Sequence, residues 1–277
     1  MAKQKIAIVT GANTGLGLAL VRRLLREGMI VYLTARNAER GQAAIQQLQQ
    51  EGLQPAFHLL DVTDDASVAA FAEHIQQNHG GYDVLLSNAA ARISPDLPQA
   101  DQVATFINTN NYGTYRMITA FGPLLRDHGR FVVVASSFGS LRHLNPALHD
   151  QFDVSRLTLA DIQRVLEQYT EQVIAGTAVA NGWPEWINIP SKIGQVAAMK
   201  VFARDMQASR ERRDVLINAV CPGLVDTAAS RPWFSDMSQA QSPDDAAVDV
   251  VWLSTLPAGT LAPYGELVQF RQVLPFS

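Results

Sequence analysis

Apolar residues fall along the chain in short blocks separated by longer stretches of mixed polarity. Residues 5–10 (KIAIVT), 29–34 (MIVYLT), 56–60 (AFHLL), 82–87 (YDVLLS), 130–135 (RFVVVA) and 214–220 (DVLINAV) are rich in Val, Ile and Leu. Several are apolar almost throughout, as strands are when helices cover both faces of a sheet. Between the blocks lie helical patterns. One starts near Gly15 and ends by Gly28. A second, over 39–52, predicts a helix with Ala43, Ile45 and Leu48 toward one side and glutamines on the other. A third, over 64–80, opens on acidic residues and closes on Gly80, a start and a stop that suit a helix. Strand and helix in repetition predict an α/β fold with a Rossmann-like, doubly wound parallel sheet. No Pro/Gly-rich linker divides the chain, so residues 1–277 read as a single domain holding both nucleotide and substrate. The rhythm breaks between Leu141 and Trp186. That stretch contains LTLADIQRVLEQYTEQVIAG, a helical pattern with no strand on either side, and reads as a helical insertion at 141–186.

Composition narrows the function classes. The chain is 47% hydrophobic and 17% charged, with a net charge of −4, which gives no footprint for a nucleic-acid partner. No apolar run is long enough to span a bilayer, so no membrane partner is expected. The lone cysteine, Cys221, excludes an intrachain disulfide and suits a reducing, cytoplasmic setting.

Candidate chemistry begins at TGANTGLG, residues 10–17, which follows the first strand and opens the first helix. Gly11, Gly15 and Gly17 let the turn adopt positive φ and let backbone approach a pyrophosphate, with the helix N-terminus supplying N–H donors. The strand–turn–helix context makes the pattern specific; its bland counterpart is a tight turn that binds nothing. After the second strand stands Arg36, where NAD-preferring folds place an acidic residue. A guanidinium there suits the 2′-phosphate of NADP(H), although surface arginines are common. Asp61, in LLDVTDD, reads either as an acceptor for an adenine amino group or as a helix N-terminal carboxylate.

Together these residues resemble the short-chain dehydrogenase/reductase family, over essentially the whole chain. SNAA (87–90) looks like the family's Asn-Asn-Ala-Gly; TNNYGT (109–114) like the segment with its catalytic asparagine; VVVASSFGS (132–140) like the strand leading to its serine; and CPGLVDT (221–227) like the turn over the nicotinamide. The subgroup most similar is the monomeric carbonyl reductases, which share RGQAAIQQLQQEG, GGYDVLLSNAA, GWP, SKIG and the insertion. The resemblance implies a monomer, a small-molecule substrate and an NADP(H) cofactor. It places cofactor contacts at Gly11, Asn13, Thr14, Gly15, Leu16 and Gly17 in the first turn. Further contacts fall at Arg36, Asp61, Val62, Asn88 and Ala89, then at Lys192, Pro222, Gly223, Val225 and Thr227. It places the chemistry at Asn110, Ser137, position 188 and Lys192. In the family, tyrosine donates a proton, serine holds the carbonyl oxygen, lysine binds the nicotinamide ribose and asparagine anchors a water relay.

The departure is at position 188. The family's Tyr-x-x-x-Lys reads Asn188-Ile-Pro-Ser-Lys192. Positions i and i+4 share a helix face, so Asn188 should project beside Lys192. Pro190 is expected to bend or restart the helix. An amide donates a hydrogen bond but gives up no proton near neutrality, and losing a general acid costs a factor of about 10²–10⁴. Ser87 and Ala90 also depart from the motif, and Thr14 stands where NADPH-selective relatives often carry lysine. Tyr112, Tyr115 and His143 are substitute acids on paper, though each reads more simply as packing or pocket rim. Trp183, Trp186, Phe138 and Trp233 suit an aromatic pocket or ordinary core. Three functions follow: an NADPH-dependent reductase of a carbonyl or imine; a non-redox cyclase or isomerase; or a nucleotide-binding chain whose acid has been lost, in nature or by engineering.

Overall fold

Each apolar block becomes a strand in the computed structural model, which describes residues 4–277. In chain order β1 is Ile6–Val9, β2 Ile30–Ala35, β3 Ala56–Leu59, β4 Tyr82–Ser87, β5 Leu125–Val134 and β6 Leu216–Cys221. Two strands too short to show a period follow, β7 (Leu267–Gln269) and β8 (Gln272–Leu274). The sheet order is β3-β2-β1-β4-β5-β6-β7-β8. Strands β1 to β7 pair in parallel and β8 returns antiparallel on β7. The order reverses between β1 and β4. In such sheets the crevice beyond the carboxyl ends at the reversal is where ligands bind.

The helices are α1 (Gly15–Arg26), α2 (Ala38–Gln50), α3 (Asp65–His79), α4 (Gln99–Ile107), α5 (Gly113–Phe121), α6 (Leu159–Ile174), α7 (Asn188–Asp205), α8 (Gln207–Arg213) and α9 (Pro243–Ser254). They cover both sheet faces, as the alternation within β1 shows. Ile6 and Ile8 join one core with Phe71 of α3, Phe121 of α5 and Val196 of α7. Ala7 and Val9 join the other with Leu20 of α1, Leu48 of α2 and Val250 of α9. Successive strand side chains point to opposite faces, so a doubly covered strand is apolar at every position.

The face of α2 differs from expectation. Gly41, Ala44, Ile45 and Leu48 are buried and Ala43 is exposed. Residues two apart on a helix diverge, whereas 41, 44, 45 and 48 share a stripe.

The insertion is helical as expected, with short 3-10 turns between Leu141 and Phe152 followed by α6. A capping box starts α6: Thr158 accepts from the Asp161 backbone N–H, and the Asp161 carboxylate accepts from the Thr158 N–H at 2.8 Å. Buried Ile162, Leu166 and Tyr169 dock α6 against α4 and α7. Trp183 belongs to this packing and not to a ligand pocket. It is 4% exposed, 4.7 Å from the Tyr169 ring, and donates through Nε1 to Gln172 Oε1.

Candidate active site

The turn between β1 and α1 is built around close backbone approach. Gly11 and Gly15 hold φ of +61° and +55°, in the left-handed region. A Cβ on Gly17 would lie 2.6 Å from the Gly11 oxygen and 2.8 Å from the Ala12 Cα. Asn88 locks this turn: its Nδ2 donates to the Thr10 and Gly11 oxygens at 2.9 and 3.2 Å. The backbone N–H groups of Asn88 and Ala89 donate to Thr10 Oγ1 at 2.8 and 2.9 Å. Asn13 and Leu16 are half-buried in the turn and Thr14 is exposed.

The start of α1 fits a pyrophosphate. Helices α2 and α3 are capped by the side chains of Asn37 and Asp64. At α1 the N-cap Thr14 makes no side-chain cap, and the first turn holds no acid. Its N–H groups and the positive end of its dipole are therefore left for an anion. Arg36 follows β2 directly, exposed and without an ion pair among the described residues. Asp61 does not cap α3, because Asp64 does. Its Oδ1 accepts from the backbone and hydroxyl of Thr63 at 2.9 and 2.7 Å, which fixes the carboxylate. Val62 is 6% exposed and packs against Gly113, so its side chain is mainly a support.

Farther along the crevice the four expected catalytic positions meet. Asn110, Ser137, Asn188 and Lys192 line one cavity of about 420 Å³. Pro222, Gly223, Val225 and Thr227 line it too, and Thr227 comes back to Gly15, where an added Cβ would sit 3.5 Å from its methyl. The phosphate turn and the cavity are thus continuous.

Local structure explains each placement. Asn110 sits in a single π-turn, Asn108–Tyr112, between α4 and α5, an irregularity often found at functional sites. Asn111 fastens this turn to α7, donating to the Ser191 oxygen at 2.8 Å and accepting from Ser191 Oγ at 2.7 Å. Asn110 Oδ1 accepts from the Ala91 N–H at 2.8 Å, which positions the strand end carrying Ala90 and Ala91. Ser137 opens a 3-10 turn capped by Ser136, and Gly139 lets that turn press on α7, where a Cβ would reach 3.1 Å from the Lys192 oxygen. Pro190 neither bends nor restarts α7. The helix begins at Asn188, so Pro190 lies in its first turn, where no intrahelical N–H is needed. Ile187 N–H donates to Gln99 Oε1 at 2.7 Å and anchors that start on α4.

Among the residues of the cavity wall, Lys192 is the group whose chemistry the fold changes most. Burial pushes its ammonium down to about 8 from 10.5, because the charged form is poorly solvated there. Its Nζ donates to Gln195 Oε1 at 2.8 Å. The cavity wall carries a second cation, Arg92, and no carboxylate. Its aromatic part is Phe106, Phe138, Trp186, Trp233 and Phe234. The Trp186 ring is 5.3 Å from both Phe138 and Trp233, and Trp233 Nε1 donates to the Ile93 oxygen at 3.2 Å, tying two loops across the opening.

None of the substitute acids reaches the wall. Tyr112 packs beside the core and its phenol is pushed up to about 12 by burial. Tyr115 is absent from the lining. Burial lowers His143, whose ring meets that of Phe138 edge to face at 5.3 Å. Sequence reasoning missed Gln195 and Arg92. Gln195 follows Lys192 by three residues, a helix-face spacing that was readable once Lys192 was singled out. Arg92 gave no signal of its own.

A glycine-built phosphate turn, an open helix start and a lysine–serine cavity at the sheet reversal define a dinucleotide-binding α/β protein. The family model described as short chain dehydrogenase matches residues 5–147. The chain is 36% identical over 274 residues to carbonyl reductase (NADPH) 1 of Homo sapiens, covering 97% of each chain. It is 34% identical over 276 residues to that of Rattus norvegicus, covering 98% of each. Salutaridine reductase of Papaver somniferum superposes with a TM-score of 0.82 at 25% identity, over 95% of this chain and 99% of the other. Menthone neomenthol reductase of Mentha piperita gives 0.79 at 26%, over 97% and 99%. The chain belongs to the short-chain dehydrogenase family. Among the described residues no helix is long and apolar enough to cross a membrane.

Proposed function

We propose that the chain is an NADPH-dependent reductase of small carbonyl compounds, with Asn188 in place of an acid. The observation that carries this reading is the continuity of the phosphate turn with the cavity of Asn110, Ser137, Asn188 and Lys192. Relatives named as reductases, and the NADPH in the names of the carbonyl reductases, support it. Gly11, Gly15 and Gly17 hold the pyrophosphate on α1, with Asn13, Thr14 and Leu16 completing the turn. Arg36 takes the 2′-phosphate. Asp61 and Val62 meet the adenine, and Asn88 and Ala89 flank the ribose. Lys192 holds the nicotinamide ribose, and Pro222, Gly223, Val225 and Thr227 close over the ring. NADPH, when bound, supplies the hydride.

The protein's part is to manage charge on the substrate oxygen. The Ser137 hydroxyl and the Asn188 amide donate hydrogen bonds to it as negative charge builds, a role set by fixed donors and not by acidity. Lys192, whose ammonium releases its proton near pH 8, is the acid within the wall. The electrostatics also select the substrate. Arg92 and Lys192 repel a cation and no carboxylate offsets them, so a neutral carbonyl on a flat apolar body suits the wall better than an iminium. Helix α6 of the insertion packs on α4 and α7, in keeping with a monomer, and the single buried thiol suits the cytoplasm.

The test is NADPH consumption by the native chain, Ser137→Ala and Asn188→Tyr on quinones, diketones and cyclic imines. The native chain should turn over neutral carbonyls ahead of imines, and Ser137→Ala should lose about 10²-fold or more in kcat. Bound NADPH with no turnover of any substrate would sink the reading. Product forming at the same rate with oxidised cofactor would point to the cyclase or isomerase.

A further inference from the structure

The polar groups behind Lys192 form one closed set. Gln195 is 2% exposed and lies one turn along α7. Its Oε1 accepts from Lys192 Nζ at 2.8 Å, while its Nε2 donates to the Asn110 backbone oxygen at 3.0 Å and to Thr114 Oγ1 at 3.2 Å. Thr114 Oγ1 donates to the same Asn110 oxygen at 2.6 Å. These partners fix the amide's orientation, because turning it over would set an NH₂ against an ammonium and an oxygen against a carbonyl. Two side-chain donors fall on a carbonyl oxygen that has two lone pairs. An amide between Lys192 and Asn110 holds both by hydrogen bonds, yet releases and takes up no proton near neutrality. The other ionisable groups around Lys192 are Cys221 at the end of β6 and Arg92 on the cavity wall.

We propose that Gln195 is a positioning residue that pins Lys192 and insulates it from Asn110, so that Lys192 exchanges protons only through the cavity. The site then lacks two things and not one: a tyrosine at position 188, and an inward path to recharge it. The rate consequence, which rests on the reductase reading above, is that Asn188→Tyr alone stays slow. Gln195→Ala leaves a space bounded by Lys192 Nζ, the Asn110 oxygen and Thr114 Oγ1, three polar partners that suffice to hold a water. Gln195→Leu fills the space with neither pin nor water.

The experiment compares N188Y, N188Y/Q195A and N188Y/Q195L in the full chain, with NADPH and a quinone. N188Y/Q195A should exceed N188Y by about tenfold in kcat, a part of the roughly 10²–10⁴-fold that a fully served general acid commands, at similar KM for NADPH. Its proton inventory in mixed H₂O and D₂O should be bowed, while those of N188Y and N188Y/Q195L stay straight. Equal kcat and matching inventories in all three would overturn the proposal. A second measurement needs no turnover. The chain has four lysines, so the Lys192 ¹⁵N resonance of the cofactor-free protein can be followed with pH. Q195L should lower its midpoint by about half a pH unit, since an acceptor of the charged form is lost. An unchanged midpoint overturns the pin whatever the rates. A lowered midpoint with every variant inactive, though each binds NADPH, keeps the pin and overturns the reductase reading.

Discussion

The starts of α1 and α7 face the same crevice and are built in opposite ways. At α1 the side chains withdraw: three glycines, an N-cap that makes no cap and no acid in the first turn leave bare backbone for a ligand. At α7 the side chains crowd in: Asn188, Lys192 and Gln195 fill the space, and two hydrogen bonds to Asn111 clamp the helix to the π-turn. The first end follows the family pattern and suits the pyrophosphate of a dinucleotide. The second departs from the pattern where proton chemistry is decided. On the proposed reading, nucleotide binding and bond-making are separable here, and the chain keeps the first while altering the second.

The most damaging way to break the contrast is Gly17→Val. Its Cβ would fall 2.6 Å from the Gly11 oxygen and 2.7 Å from Asn88 Nδ2, in an environment of backbone and a locked amide. NADPH affinity, followed by cofactor fluorescence, should fall by more than about 10²-fold, and the melting temperature should drop with it, as overpacking costs about 1–3 kcal/mol. Next is Arg36→Glu. Loss of charge-assisted bonds to a phosphate, about 1.5–3 kcal/mol, should weaken NADPH about 10- to 100-fold and leave NADH little changed. An equal loss for both cofactors would show that Arg36 does not read the 2′-phosphate.

At the other helix, pH sharpens the comparison. Lys192 is lowered to about 8 in the fold and returns to 10.5 on unfolding. Between these values the unfolded chain binds more protons, so native stability rises with pH across that window. The burial penalty is complete below 8 and gone above 10.5. The melting temperature of the native chain, relative to Lys192→Met, should therefore climb from pH 8 to 10.5 in the absence of cofactor. The smallest effect is expected at Tyr169→Phe in the insertion. The Tyr169 hydroxyl is buried without a hydrogen-bond partner, so its removal should be neutral or slightly stabilising by thermal melts.

The sheet was legible because strands covered on both faces are apolar throughout, and the first turn because its glycines stand in a strand–turn–helix context. Strands β7 and β8 were not, since three residues carry no period. Trp183 stayed open between pocket and core because a tryptophan in either looks alike in sequence; only packing on Tyr169 separates it from Trp186. Asn188 announced itself as a missing tyrosine. Gln195 did not, because its meaning lies in the backbone oxygen of a residue 85 positions away. Asp61 was left between two roles until Asp64 took the cap.

The loop after β6 carries a consequence for the order of events. Its Thr227 rests on Gly15 at the phosphate turn, and its Trp233 is both a wall of the cavity and, through Ile93, a tie across the opening. One segment thus serves two guests. If the nucleotide settles against Thr227 as proposed, it sets the stance of Trp233 before a substrate arrives, while a substrate seated first holds the same segment. Turnover should follow a compulsory sequence, nucleotide first and last to leave, visible as competitive inhibition between the two forms of the cofactor together with noncompetitive inhibition by the alcohol product against NADPH.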